Sequence, residues 1–240
     1  MSDELLEALA RQAAERYEAR DRFARHFARG KLTGDPAFRG LLSRGLIPRG
    51  ARLLDLGCGQ GVLAALLVAA RASHARGQWP AEWPPPPNPA GIRGIDSSRR
   101  DIERASAALP EARFECADIR EARLGEADAV VILDVLHYMD GDAQRGVLER
   151  ARDALRGGGV LLLRVADADG SLRFRYTVFV DHAATFLRGR GFAPFHCRPV
   201  AEWRRLLESL GFRVEAAPMS EGTAFANVLL VARYDPGATS

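Results

Sequence analysis

Four aspartates in this 240-residue chain, Asp55, Asp96, Asp118 and Asp134, each follow a short run that reads as a strand. The first is followed by alternating glycines, Gly57-Cys58-Gly59-Gln60-Gly61, and the last by His137 three residues on. Three glycines in five positions between an apolar strand and a helix start make a tight turn where a ligand can approach bare backbone. Their spacing argues against a dinucleotide site. That turn wants G-x-G-x-x-G, and Val62 stands where its third glycine belongs. An imidazole can take a proton near neutral pH, so His137 is the candidate base; packing or helix capping is its alternative role. Tyr138 is better suited to lining a pocket than to reacting.

These residues need a frame. Leu5, Leu6, Leu9, Ala13 and Tyr17 recur at helical spacing and predict one helix over 3–28. Gly30, Gly34, Pro36 and Gly40 predict a broken segment of loop and short helix after it. Strands are predicted at Arg52–Leu56, Gly91–Asp96, Ala112–Cys116, Ala127–Leu133, Val160–Val165, Phe212–Ala216 and Asn227–Tyr234. Helices are predicted at Gly59–Ala70, Arg99–Leu109 (capped by Ser97 or Ser98), 142–155 and Pro199–Leu210. Gly157-Gly158-Gly159 reads as a helix stop and turn. Alternating strands and helices imply a doubly wound α/β sheet.

The strand Arg52–Leu56, its acid and Gly57, Gly59 and Gly61 resemble the first motif of class I S-adenosylmethionine (SAM)-dependent methyltransferases. Ile92-Arg93-Gly94-Ile95-Asp96 resembles the second motif, Phe114–Ile119 the third and Val131–Tyr138 the fourth. Leu155–Leu162 resembles the helix-turn-strand that follows. The resemblance implies an α/β class I methyltransferase (Rossmann-like) fold: a seven-stranded, mostly parallel sheet with an antiparallel last strand and helices on both faces. It implies that Asp55, Gly57, Cys58, Gly59 and Gly61 border the cofactor's methionine part and ribose. Asp96, with Ser97 beside it, would accept both ribose hydroxyls, Asp118 the adenine amino group, and Ile119 would pack on the adenine. Asp134 would be a further cofactor-binding residue, at the switch point where ligands bind in open α/β sheets. The acids of the first two motifs are 41 residues apart here, against about 20 in the usual dinucleotide-type unit. An insertion accounts for the excess.

That insertion, residues 72–90, carries Trp79, Trp83 and four consecutive prolines, Pro84 to Pro87, which favour an extended segment. Two readings stay open. Its tryptophans pin it to the body, or it forms an arm for a partner or a homodimer. The expected organisation is a single methyltransferase domain over 1–240, with an N-terminal helical cap (1–48) and a lid-like excursion (167–199).

Hydrophobic content of 47% and charged content of 27% fit a soluble globular protein. Lys31 is the one lysine among 34 basic residues, and the arginines are spread from end to end. With a net charge of +3 this reads as a composition bias, not a nucleic-acid footprint. Cys58, Cys116 and Cys197 have no C-x-x-C spacing, which fits reduced thiols in the cytoplasm rather than a disulfide frame. No His has metal-ligand spacing with another His, Asp or Glu, so no metal is expected. His26, His182 and His196 fall in segments expected to cover a pocket, and His74 in the insertion. No signal peptide and no membrane span are expected.

Five phrases resemble, over nearly the whole chain, the small methyltransferases of bacterial aryl-polyene and xanthomonadin-type pigment pathways. They are His26–Leu32, Gly34-Asp35-Pro36, the Trp-Pro insertion, Asp134–Tyr138 and Pro218–Thr223. That resemblance implies methyl transfer to a small or carrier-bound aromatic, phenolic acceptor, with ring carbon as one acceptor atom once a base has deprotonated the phenol. Tyr17, Phe27, Tyr176, Phe179 and Phe186 are candidate walls for an apolar or aromatic substrate, with ordinary core packing as the alternative for each. Two other readings remain: a SAM-binding subunit without catalysis, or a methyltransferase acting on nucleic acid. Against the latter, the segment at Asp134 lacks the Asn/Asp-Pro-Pro-Tyr/Phe signature. A nicotinamide oxidoreductase is disfavoured by the glycine spacing.

Overall fold

The computed structural model describes residues 2–18, 21–168, 196–219 and 227–234. Three helices come first, α1 (Ser2–Glu15), α2 (Arg22–Gly34) and α3 (Pro36–Ser43). Then follow β1 (Arg52–Leu56), α4 (Val62–Ala75), β2 (Gly91–Asp96), α5 (Arg99–Ala108), β3 (Arg113–Cys116) and β4 (Ala127–Leu133). After a single 3₁₀ turn, Leu136–Tyr138, come α6 (Gly141–Ala154), β5 (Leu155–Ala166), α7 (Val200–Ser209), β6 (Phe212–Pro218) and β7 (Asn227–Tyr234). The strands form one seven-stranded sheet in the order β3-β2-β1-β4-β5-β7-β6. β1 and β2 pair in parallel, as do β2 and β3, while β7 runs antiparallel to both β5 and β6. The expected mixed sheet with an antiparallel last strand is therefore present. The chain divides into two compact units, Met1–Val131 and Ile132–Ser240.

In the first unit, β1 buries Leu53, Leu54, Asp55 and Leu56. A strand covered on both faces reads as a continuous apolar run, so the acid at its end stands out. α4 is apolar nearly all round and buries nine of its residues, as a central helix must. In the second unit, β5 buries every residue from Val160 to Ala166. Its pairing with β7 runs from Val160 opposite Arg233 to Ala166 opposite Asn227.

Three local expectations need correction. The helix predicted over 3–28 is two helices. Asp21 caps the second, its Oδ1 accepting from the Ala24 N–H at 2.9 Å. Tyr17 keeps the helical spacing but lies past the end of α1, which stops at Glu15. α4 starts at Val62 and reaches Ala75, so the insertion begins at Arg76 rather than 72. Gly157, Gly158 and Gly159 are not a turn. α6 passes directly into β5 at Leu155, and Gly158 takes φ +81 inside the strand. Only a glycine adopts that conformation without strain.

The Trp-Pro insertion lies folded on the first unit. Trp79 Nε1 donates to the Pro84 carbonyl at 2.9 Å, and Trp79 meets Trp83 edge to face at 5.6 Å. The Gly50 N–H donates to the Asn88 carbonyl and the Ala90 N–H to the Ala51 carbonyl, both at 3.0 Å. A Cβ on Gly45, which has φ +59, would stand 2.9 Å from Pro84 Cγ. The cited contacts to the body thus run through the backbone at Asn88 and Ala90 and through Pro84, while the Trp79–Pro84 and Trp79–Trp83 contacts lie within the insertion. Most of the lid-like excursion, with Tyr176, Phe179, His182 and Phe186, lies outside the described residues.

Candidate functional site

The first unit brings the glycine turn and the second strand-end acid together. Asp96 Oδ2 accepts from the Gly59 N–H at 2.9 Å, and Oδ1 accepts from the Ser98 N–H at 2.8 Å. A carboxylate has about four acceptor positions, so each oxygen keeps one for a ligand hydroxyl. The turn is also tied to β2 by the Gly57 N–H donating to the Ile95 carbonyl at 2.7 Å. Ser98, not Ser97, caps α5, its hydroxyl accepting from the Asp101 N–H at 3.3 Å. Ser97 is exposed beside it.

The glycines differ in what they allow. Gly59 has φ +52, and a Cβ there would meet no heavy atom within 4 Å. Gly61 has φ +79, and its Cβ would press on Leu109, Phe114 and Ala105 at 3.1 to 3.2 Å. Gly59 therefore faces open space, while Gly61 lets the start of α4 pack against α5 and β3. Gly94 on β2 serves the same packing: a Cβ would lie 2.7 Å from Cys58 Sγ and from Phe114.

Asp55 is buried behind this turn. Burial, and then the negative charge of Asp96, push its carboxyl up to about 7. Burial likewise pushes the Cys58 thiol up, with Asp55 and Asp96 adding to it, so Cys58 is no nucleophile. A cationic ligand group beside Asp55 would restore its ionised form.

A clamp on this turn was not legible in the sequence. The Tyr17 hydroxyl donates to the Gln60 carbonyl at 2.9 Å, and Gln60 Nε2 donates to the Ala24 carbonyl at 2.8 Å. Gln60 is buried, and burial raises the Tyr17 phenol above its ordinary range. α2 and the end of α1 are thus fastened to the middle of the turn. Tyr17 is a clamp here rather than an aromatic wall. Phe27 stacks on Phe23 with centroids 6.1 Å apart.

Asp118 sits in a turn after β3, and Ile119 beside it is buried. The Asp118 carboxylate accepts from the Arg120 N–H at 2.8 Å and from Arg120 Nε at 3.0 Å. Arg120 is largely exposed, and exposed pairs of this kind contribute about 0–1 kcal/mol. A ligand amino group can therefore displace the guanidinium at little cost.

In the second unit, Asp134 takes the left-handed φ of +58, the one non-glycine among the described residues to do so. Its Oδ1 accepts from Arg164 Nε at 2.7 Å, and its Oδ2 accepts from Arg164 Nη2. The Arg164 side chain is fully buried in β5, whereas that of Asp134 is 29% exposed. This bidentate pair fixes the end of β4 to β5. The 3₁₀ turn follows, with His137 buried and its ring 4.1 Å from that of Tyr138. Tyr138 is exposed.

Gln144, fully buried on α6, holds that turn. Its Nε2 donates to the carbonyls of Leu136, Met139 and His196 at 3.1, 3.0 and 2.7 Å. Its Oε1 accepts from Arg198 Nε at 2.7 Å. The His196 N–H donates to the His137 carbonyl at 2.9 Å. One amide therefore orients His137 and the start of the segment before α7. A buried glutamine at the core position of a helix is the signal that could have marked it.

The sequence pattern of the methyltransferase domain family matches residues 9–217. The chain belongs to that family. Trans-aconitate 2-methyltransferase of an Azoarcus species is 30% identical over 170 residues, covering 70% of this chain and 59% of the relative. Carboxy-S-adenosyl-L-methionine synthase of Mannheimia succiniciproducens is 25% identical over 183 residues, covering 71% and 66%. This chain thus spans about three fifths to two thirds of the length of these curated relatives. Among solved structures, magnesium protoporphyrin IX methyltransferase from Synechocystis, with S-adenosylhomocysteine bound, superposes with a TM-score of 0.59. It is 20% identical, and the match covers 91% of this chain and 90% of that protein. The fold is the class I methyltransferase fold, and the cofactor that goes with it is SAM. The residues present suit that molecule. An open Cβ position at Gly59 and spare acceptor positions on Asp96 suit a ligand that brings hydroxyl groups to the turn.

Proposed function

We propose that this protein transfers a methyl group from SAM to a small or carrier-bound aromatic acceptor bearing a phenol. The observation that carries the cofactor half is the Asp96 carboxylate, which organises the glycine turn through Gly59 and keeps acceptor capacity for ribose hydroxyls. In this reading Asp55 faces the methionine ammonium, Gly57, Cys58 and Gly59 border the methionine and ribose, and Asp118 with Ile119 receives the adenine. Bound SAM supplies an electrophilic methyl that moves in line to the acceptor oxygen while the carbon–sulfur electron pair goes to sulfur. The chain's own task is alignment and exclusion of water. His137 takes the phenol proton as the oxygen attacks, and Gln144 keeps its turn in place. Asp134 acts as a positioning residue through Arg164.

The acceptor class rests on His137-Tyr138 after β4 and on the resemblance to pigment-pathway methyltransferases. A second reading has a specific support: the 30%-identical relative is named for trans-aconitate, so a carboxylate acceptor is the alternative. Calorimetry with S-adenosylhomocysteine tests the cofactor, and absence of binding by folded protein would overturn it. Labelled SAM offered with a panel of phenols and of polycarboxylates tests the acceptor. His137→Ala should cut turnover about 100-fold on a phenol while leaving cofactor affinity unchanged. Unaltered turnover would remove His137 as base.

A further inference from the structure

A groove of about 410 Å³ opens between α1 and α2 in the first unit, on the helices that clamp the glycine turn. Arg11 and Glu15 line it from α1, and Arg22, Arg25, His26 and Arg29 from α2. On α2 those four residues sit at i, i+3, i+4 and i+7, which places them on one helix face. Like charges at that spacing destabilise a helix by about 0.2–0.5 kcal/mol per pair.

Neighbouring arginines are treated differently. Arg16 pairs with Glu111, and Arg104 pairs with Asp21 at 2.7 Å. Arg39 pairs with Asp3 at 3.2 Å. Among the described residues, no acid lies within ion-pair distance of Arg11, Arg22, Arg25 or Arg29. Glu15 is the one acid lining the groove and forms no ion pair. Four guanidiniums around a concavity, each with an unused fork of donors, are a receptor for oxyanions, because the planar fork matches carboxylate and phosphate edges. The volume falls in the usual range for small-molecule sites, about 300–1,000 Å³. A macromolecular polyanion would call for a basic stripe continuing beyond the groove. Here the flanking Arg16 and Arg104 are neutralised.

We propose that the α1–α2 groove binds a small molecule carrying two or more closely spaced phosphate or carboxylate groups, at a site separate from the glycine turn. The inference does not depend on the methyl-transfer reading, since the anion is measured with no cofactor present.

Titration calorimetry on the full chain, with tripolyphosphate and with citrate at low salt, tests it. One anion should bind saturably with a stoichiometry near one. The preferred arm identifies phosphate or carboxylate as the chemistry. Arg25→Gln combined with Arg29→Gln should weaken binding at least about tenfold while the urea midpoint stays level or rises slightly, as like charges leave the helix face. Arg49→Gln, an exposed arginine elsewhere in this unit, should change neither. Arg25→Lys with Arg29→Lys should restore only part of the affinity, because lysine lacks the fork. No saturable binding of either anion would overturn the proposal, as would equal weakening by Arg49→Gln. Tighter binding of a single-stranded RNA of about 12 nucleotides through the same arginines would overturn the small-molecule assignment.

Discussion

Asp96 and Asp134 both follow a strand of the sheet, and their carboxylates do different work. Asp96 holds two backbone N–H groups, those of Gly59 and Ser98, and keeps a lone pair free on each oxygen. Asp134 closes a bidentate pair with Arg164, a guanidinium buried inside β5. An aspartate that grips backbone shapes a loop and can still receive a ligand. One that neutralises a buried cation is part of the core's electrostatics. Position at a strand end does not separate the two; the partner does.

The largest expected effect comes from breaking the second arrangement. Asp134→Asn keeps a side chain that tolerates positive φ but removes the carboxylate charge that faces the buried Arg164 guanidinium. The expected loss is about 3 kcal/mol or more, read as a fall in the urea midpoint. Arg164→Met should cost less, because the carboxylate left behind reaches solvent. If Asp134→Asn unfolds no more easily than the wild type, the pair does not carry the structural role given to it.

Asp96→Ala should show the opposite profile. Stability should drop by about 1–2 kcal/mol as two N–H groups lose a charged acceptor. Affinity for S-adenosylhomocysteine should fall about 100-fold, equivalent to roughly 2.7 kcal/mol. A variant that keeps its affinity would erase the contrast with Asp134 and remove the ribose assignment.

The frame of the site was readable, and its supports were not. β1, β2, β4 and β7 have the bounds that their apolar runs predict, and the glycine turn stands where its spacing places it. The clamp from Tyr17 to Gln60 was hidden because Tyr17 continues the periodicity of Leu5, Leu9 and Ala13 across a helix end. Local patterning carries no mark of a hydrogen bond made 43 residues away. Arg164 was passed over inside an apolar strand for the same reason: its partner lies 30 residues earlier. The groove arginines were lost in a chain where nearly every basic residue is arginine, although 22, 25 and 29 stand at helical spacing. Only the pairing of their neighbours sets them apart.

Asp55 sharpens the Asp96 half of the comparison through pH. Its folded-state carboxyl titrates at about 7, raised by burial and by Asp96, against an unfolded value near 3.9. Between these values the folded state binds the extra proton, so stability falls as pH rises. From pH 6 to pH 8 this group alone should remove about 1.4 kcal/mol. Asp55→Asn should flatten that slope in urea titrations. If Asp55 faces the ammonium as proposed, affinity for S-adenosylhomocysteine should rise over the same window as the carboxylate ionises. A slope that survives in Asp55→Asn would assign the proton to another group.

The smallest effect on stability, and the finest cut, lies within the turn itself. Gly59→Ala forces a side chain into φ +52 but meets open space, so the cost is the left-handed backbone alone, about 1 kcal/mol. Gly61→Ala meets Leu109, Phe114 and Ala105 as well and should lose more stability than Gly59→Ala. Affinity should rank the other way. The new methyl at residue 59 enters the open space where the proposed cofactor site lies, whereas the methyl at 61 points into the packing of α4 against α5. Urea midpoints and calorimetry on the two variants side by side read both rankings. If Gly59→Ala binds S-adenosylhomocysteine as well as the wild type, the ligand does not approach the turn there. Asp96 would then organise a loop that the cofactor never touches.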